Sequence, residues 1–142
     1  MPALDLMSSG ELARLDVAIS AIPDSHLRDK AGLLLMRQGI LPAGVCRLTR
    51  IGFTPPEPGL PAQVVRHPRR GAEEITILPQ ETAAAVMRLL RSHDSPLIIP
   101  DMGADHLTRL LAERLTAAEM RQVSPAVLRN SVRLATLAGD GA

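Results

Sequence analysis

A cluster of basic residues in the middle of the chain is the strongest chemical signal in the sequence. Arg66, His67, Arg69 and Arg70 stand close together between two segments rich in β-branched residues. This pattern predicts a β-hairpin with a basic tip. Guanidinium groups match phosphate oxygens in bidentate geometry, so the tip could grip a nucleic-acid backbone. The alternative is a solvated turn that the two following glutamates partly neutralise, and the sequence favours neither.

A second pair of arginines, Arg129 and Arg133, lies near the end of the chain. Ser124 and Pro125 have the types preferred at the N-cap and first position of a helix, so they predict its start. Residues four apart share a helical face, and the two arginines could therefore present another anion contact. Ordinary solvated helix charge is the commoner explanation for such a pair.

Other constellations with catalytic or metal-binding spacing are missing from the sequence. The four histidines, His26, His67, His93 and His106, are scattered, whereas a metal site needs several convergent donors. We therefore expect surface histidines, no metal and no cofactor. Cys46 is the single cysteine, so no intrachain disulfide can form and a cytoplasmic location is expected. On a short helix it is expected to be a small buried hydrophobe.

Composition limits the kinds of partner. The net charge is only +1, and all basic residues except one lysine are arginine, which a coding bias also explains. Phe53 is the one aromatic residue, so a stacking platform for single-stranded nucleic acid is not expected. With no tyrosine, the chain also has no tyrosine nucleophile. The apolar runs, such as Gly32–Met36, are too short to span a membrane.

The elements that must position these residues follow a simple order. Helical spacing, a proline-rich loop and β-branched runs predict three helices, a small antiparallel sheet and three more helices. The class is α+β, mostly helical. The central segment, Asp24–Leu48, predicts a helix capped by Asp24 or Ser25, a stop at Gly39 and a short helix opened by Pro42. The predicted strands are Gln63–Arg66 and Glu74–Leu78, with Ile51–Phe53 as a third.

Four segments, in this order, resemble the C-terminal catalytic domain of tyrosine recombinases, the phage-integrase type. They are SSGELARLDVAI, LRDKAGLLLMRQGILPAGVCRL, VVRHPRRGAEEITILPQET and SPAVLRNSVRLATLAG. The resemblance implies a recombinase-like fold with helices flanking a small antiparallel sheet. We expect residues 1–8 to be a loose leader and residues 9–142 to be a single domain without the family's tyrosine segment.

The resemblance also implies a degenerate active site. The family's first catalytic arginine corresponds to Leu41 and the acidic residue after it to Gly44. The hairpin lysine has Arg69 or Arg70 as its nearest match. The family's first histidine corresponds to Ala126. The family's second arginine is retained as Arg129, and the next position holds Asn130. The positions concerned are Leu41, Gly44, Ala126, Arg129 and Asn130.

We therefore expect no recombinase activity from this chain. One expectation is an inactive integrase-like protein that binds double-stranded DNA or assists DNA recombination or integration. The phosphate-binding candidates are then Arg66, Arg69, Arg70, Arg129 and Arg133. The alternative is a protein-interaction module, a regulator or decoy that pairs with a recombinase or with itself. A third possibility is a non-functional remnant.

Overall fold

The computed structural model describes residues 5–66 and 72–140, although not the side chains of residues 138–140. Within these ranges the fold is α+β, with helices before and after one small sheet, as the sequence predicted. The helices are α1 (Ser9–Ser20), α2 (Leu27–Arg37), α3 (Pro42–Arg47), α4 (Gln80–Arg91), α5 (Ala104–Ala117) and α6 (Pro125–Asp140). The strands are β1 (Phe53–Thr54), β2 (Ala62–Arg66) and β3 (Glu74–Leu78).

Helix α2 is the central element of the core. Its residues from Ala31 to Met36 are all buried, because α1, α4, α5 and α6 all pack against it. In the sequence Ala31, Leu34 and Leu35 have the spacing of a single apolar face, which is the pattern of a surface helix rather than a central one. A Cβ atom at Gly32 would lie 2.5 Å from Leu107 Cδ2 of α5. Glycine therefore allows α5 to approach α2 closely.

The turn after α2 sets the direction of α3. Gln38 is the C-cap of α2, and Gly39 follows with a φ of +92°. Glycine adopts this left-handed conformation without a steric penalty, as the C′ position requires. Pro42 then occupies the first position of α3, where its missing N–H has no cost. The predicted stop at Gly39 and start at Pro42 are both confirmed.

The three strands form an antiparallel sheet in the order β1-β2-β3. In the β2–β3 ladder Arg66 lies opposite Glu74, and Val64 lies opposite Thr76. Ala62, Val64 and Leu78 are buried, so this face of the sheet points into the core. Ile75 and Ile77 alternate with these residues and lie on the outer face, where both are more than half exposed. The predicted hairpin is confirmed, but its basic tip, residues 67–71, lies outside the described residues.

Several local predictions were wrong. Neither Asp24 nor Ser25 caps α2, because a 3₁₀ turn (Asp24–His26) leads into the helix without a side-chain cap. The third strand is Phe53–Thr54, while Ile51 lies in a turn and is 95% exposed. The strand therefore begins at Phe53, two residues later than predicted, and Phe53 pairs with Val64.

Residues 5–7, the described part of the expected leader, are fastened to the fold rather than loose. Met7 is buried, and its backbone N–H donates to Ser131 Oγ at 2.8 Å. Arg121 donates to the Leu6 carbonyl at 2.9 Å and also pairs with Asp5. Burial of one apolar side chain and these polar contacts hold residues 5–7 against the α5–α6 connection. No helix within the described residues combines the length and apolar character needed to cross a membrane.

Candidate nucleic-acid interface

The Gly39–Leu41 turn packs directly on α6. A Cβ atom at Gly39 would lie 3.4 Å from Val132 Cγ1 and 4.0 Å from the Arg129 carbonyl oxygen. Leu41 is half-buried at the N-cap of α3 and has extended backbone angles. Its carbonyl accepts a hydrogen bond from the Val45 N–H at 3.0 Å. An aliphatic residue therefore stands at the start of α3, close to the first turns of α6.

Arg66 approaches the same segment from the sheet. Its Nη1 atom lies 3.8 Å from the position that a Cβ atom would take at Gly44. The Arg66 Nη2 atom also forms an ion pair with Glu74 Oε2 at 2.6 Å, and the arginine side chain is only 21% exposed. The guanidinium group of Arg66 is therefore beside α3, but a carboxylate already neutralises its charge.

Arg129 lies on the other side of the turn, on α6. Its Nε and Nη2 atoms both donate to Asn130 Oδ1, at 3.3 and 3.2 Å. Arg129 is half-buried, whereas Asn130 is exposed. No carboxylate within the described residues pairs with Arg129, so its positive charge is available to an anion. Asn130 fixes the orientation of the guanidinium group, because one acceptor holds two of its nitrogen atoms.

Arg133 follows one turn later on α6 and is exposed. It makes no hydrogen bond or ion pair with any residue in the described ranges. Ala126, in the first turn of α6, is also exposed. Ser124 accepts a hydrogen bond from the Val127 N–H at 3.2 Å, so the predicted cap of α6 is confirmed.

A groove between β3 and α6, which we call the β3–α6 groove, has a volume of about 590 Å³. It contains Arg66 and Arg133 but neither Arg129 nor Leu41. Arg129 and Arg133 lie one turn apart on α6, as predicted, and Arg133 also lines the groove with Arg66. Arg69 and Arg70 lie outside the described residues, so their place relative to these arginines stays a prediction.

Sequence reasoning missed this groove and its apolar wall. Ile75, Ile77 and Leu137 line it and are 58%, 52% and 68% exposed. The alternation of Ile75, Thr76 and Ile77 in the sequence could have indicated an exposed apolar sheet face. Ala135 is exposed, although it has helical spacing with the buried residues Leu128 and Val132. Beyond Val132 no described residue of α6 is buried.

The histidines are placed differently from the prediction. His26, His93 and His106 all line one cavity of about 850 Å³ between α2, α4 and α5. This cavity lies at the start of α2, whereas the Gly39 turn lies at its other end, about 16 Å away for eleven residues. His106 Nε2 is 3.2 Å from Asp29 Oδ1, and His93 Nε2 is 2.9 Å from the Ile98 carbonyl oxygen.

No group of described residues has the donors for a metal ion. His93 is partly buried, and its Nδ1 atom accepts a hydrogen bond from the Ser95 N–H at 3.1 Å. The ring therefore stabilises the connection after α4. Among the described histidines, His26 is exposed as expected, and His93 and His106 are half-buried; His67 lies outside the described residues.

Cys46 lies on α3 and packs partly buried against the core. Burial raises the pKa of its thiol, because the charged thiolate is disfavoured away from water. A thiol of this kind is poorly suited to nucleophilic attack. The location agrees with the expected small hydrophobe.

Comparison with solved structures shows the fold of tyrosine recombinases. The chain matches the crystal structure of XerA recombinase over 100% of its length, with 20% identity and a TM-score of 0.76. It matches XerH site-specific recombinase bound to difH substrate, a pre-cleavage complex, over 96% with 13% identity and a TM-score of 0.81. The post-cleavage complex of XerH on a palindromic difH substrate gives 15% identity and a TM-score of 0.77 over 96%.

The chain spans about half of the length of these proteins, 53% of the XerA structure and 44% and 43% of the XerH structures. No family model matches the sequence, and no curated protein matches it. The expected fold, a recombinase catalytic-domain-like arrangement of helices around a small antiparallel sheet, is confirmed.

Proposed function

We propose that this chain is a non-catalytic protein of the tyrosine-recombinase fold that binds double-stranded DNA and assists DNA recombination or integration. The observation that carries the proposal is the match to the two XerH complexes, both of which hold a difH substrate. Arg129 supports it, because this half-buried cation has no carboxylate partner within the described residues. We place the protein in the cytoplasm and treat residues 9–142 as one functional domain.

The absence of catalysis is proposed from the residues themselves. The chain has no tyrosine to form a covalent link with DNA. Leu41 and Gly44 stand where the resemblance expects an arginine and an acid, and neither can stabilise phosphate charge. Loss of one charge-stabilising group from such a site costs roughly 100-fold or more in rate. Ala126 adds a further loss, so DNA binding is the activity that these residues can still support.

Duplex binding is tested by titrating the protein into a labelled duplex at several salt concentrations. We expect micromolar binding at low salt and a steep fall in affinity as salt rises, because phosphate contacts release counterions. A single-stranded oligonucleotide of the same sequence is the control, and we expect it to bind more weakly because the chain lacks aromatic stacking groups. No shift of the duplex by micromolar protein at low salt contradicts the proposal.

A second candidate function, a protein-interaction module, is favoured by the exposed apolar wall of the β3–α6 groove. Large exposed apolar patches commonly mark the sites where a protein contacts another protein. The partner could be a recombinase or a second copy of this chain. Light scattering of the protein alone and mixed with a recombinase of the host measures the mass. A monomer in both samples contradicts pairing with either partner.

A further inference from the structure

The β3–α6 groove joins an apolar wall to positive charge. Ile75 and Ile77 project from the outer face of an edge strand, and Leu137 projects from α6 on the other side. All three side chains are more than half exposed. Of the other large exposed apolar residues, Val17, Ile51 and Leu60 lie on other parts of the chain, and Leu134 lies on α6 but does not line the groove. Three exposed aliphatic side chains around one concave surface favour a partner that covers them.

Cationic and hydrogen-bonding groups line the rest of the groove. Arg133 is exposed and has no partner within the described residues. Arg66 contributes a guanidinium group whose Nε atom is buried and has no acceptor among the described residues. Gln38, Thr76 and Thr136 add an amide and two hydroxyl groups. A carboxylate on a partner could pair with Arg133 while its apolar side chains contact the isoleucines.

We propose that the β3–α6 groove binds an acidic amphipathic segment of another protein. Its apolar side chains would contact Ile75, Ile77 and Leu137, and one of its carboxylates would pair with Arg133. This inference names the partner chemistry for the second candidate function and rests on that function, but it does not depend on duplex binding.

Two other occupants fit the groove less well. A DNA backbone is polar throughout and leaves the aliphatic wall uncovered, and Glu74 already neutralises the arginine of the sheet. A second copy of the same face would bring two Arg133 side chains into one interface. The carboxylate of Glu74 does not line the groove and is already bonded to Arg66, so it cannot match the added positive charge.

A synthetic peptide provides the probe. It is an amphipathic helix of about sixteen residues, or about 24 Å, with leucines along one face, glutamates beside them and a fluorescent label. Titration with the intact protein, followed by fluorescence anisotropy, should show saturable micromolar binding. The same peptide with glutamine in place of glutamate should bind at least about tenfold more weakly, since the charge pair is lost.

Variants of the protein locate the binding surface. Leu137→Asp and Arg133→Glu should each weaken peptide binding by about tenfold or more, because one breaks the apolar wall and the other repels the glutamates. Val17→Asp is the matched control, since Val17 is 71% exposed on α1, and it should leave binding unchanged. Equal unfolding temperatures for all three variants establish that the fold is intact.

Several results overturn this inference. They are no saturable binding at about 100 μM protein, equal losses in Leu137→Asp and Val17→Asp, or no effect of Arg133→Glu. Displacement of the peptide by duplex DNA would assign the groove to nucleic acid, and a dimer that Leu137→Asp dissolves would assign it to a second copy. Duplex binding is measured on the same samples, so failure here is distinguishable from failure of the DNA-binding proposal.

Discussion

Arg66 and Arg129 show how neighbours decide what an arginine can do. Arg66 faces Glu74 across the β2–β3 ladder at 2.6 Å, so its charge is largely matched within the sheet. Arg129 is held by the neutral amide of Asn130 at 3.2 and 3.3 Å and keeps its full charge. Of the candidate arginines in the described residues, Arg129 therefore combines a fixed orientation with an unmatched charge.

Replacement of Arg129 by alanine should weaken duplex binding about five- to tenfold and reduce the slope of log affinity against log salt by about one. The physical reason is the loss of one phosphate contact. Arg109→Ala is the matched control, because Arg109 is an exposed arginine on α5. Fluorescence anisotropy at four salt concentrations measures both quantities. Equal salt slopes for the two variants would contradict the assignment of Arg129 to phosphate.

Cys46 should react slowly with thiol reagents, although it is the only cysteine in the chain. Burial raises the pKa of its thiol, so less thiolate is present at neutral pH than for a free cysteine. We expect alkylation by iodoacetamide to be at least about tenfold slower in the folded protein than in urea. Mass spectrometry over time measures the two rates. Equal rates would show that α3 leaves the thiol open to solvent.

At the scale of elements, the turn between α2 and α3 depends on the left-handed backbone of Gly39. Gly39→Ala should destabilise the protein by about 1–2 kcal/mol, because an alanine in this conformation is strained. The new Cβ would also lie 3.4 Å from Val132 Cγ1, which tightens the contact with α6. Urea unfolding measures the difference in free energy.

Two other glycines separate the cost of backbone strain at Gly39 from the cost of the tighter contact with Val132. Gly59 has a φ of +81° with open space around its Cβ position, so Gly59→Ala should show backbone strain alone. Gly103, the N-cap of α5, has a φ of −95° and equally open space, so Gly103→Ala should show no backbone strain and only the smaller cost of alanine at an N-cap. A loss in Gly39→Ala no larger than that in Gly103→Ala would contradict the account of the turn.

The sequence predicted elements well because their signals are local. Ser8 and Glu11 have the residue types and spacing of a capping box, and both reciprocal hydrogen bonds are present. Gly39, Pro42 and Ser124 also act where their types predicted, since caps and turns depend on neighbouring residues. The breadth of burial on α2 and the exposure of Ala135 could not be predicted in this way. Both depend on which elements pack against a helix, and that is set by contacts between residues distant in the chain.

The candidate site could be predicted only in part for the same reason. Residue types identified the arginines, and the hairpin register made the Arg66–Glu74 pair foreseeable. Arg66 and Arg133 line one groove because α6 lies beside β3. No local pattern encodes that arrangement. The gathering of three histidines around one cavity is likewise a product of tertiary packing.

At the scale of the whole molecule, Arg121 joins the start of the described chain to the connection between α5 and α6. It forms ion pairs with Asp5 before α1 and with Glu11 on α1, the latter at 2.8 Å. The hydrogen bond from Arg121, followed by that from the Ser8 backbone N–H, lowers the pKa of Glu11 from 4.5 to about 2. The same contact raises the pKa of Arg121. The charged pair therefore links the start of α1 to the segment between α5 and α6.

This pair predicts a loss of stability in acid. An unfolded chain takes up a proton on Glu11 near pH 4.5, but the folded chain does so only near pH 2. The stability that the Glu11–Arg121 pair contributes is therefore fully present above about pH 4.5 and is lost as the pH falls towards 2. Glu11→Gln should cost about 1 kcal/mol at pH 7, a modest value because solvent screens the pair.

Urea unfolding of the protein and of Glu11→Gln between pH 7 and pH 2 tests this linkage. The difference between their unfolding free energies should shrink as the pH falls through the window. Glu113→Gln, a change at an exposed glutamate on α5, provides the control and should show little difference throughout. A difference for Glu11→Gln that stays constant down to pH 2 would rule out the charged pair as its source.

The proposed activity of this recombinase fold is to bind duplex DNA without cutting it. One labelled duplex, incubated with the protein at low salt and analysed on native and denaturing gels, tests both parts together. We predict a retarded band on the native gel and an unchanged strand on the denaturing gel, while an active tyrosine recombinase on its own substrate gives a covalent product. A covalent or cleaved strand with this chain would contradict the loss of catalysis, and no retarded band would contradict DNA binding.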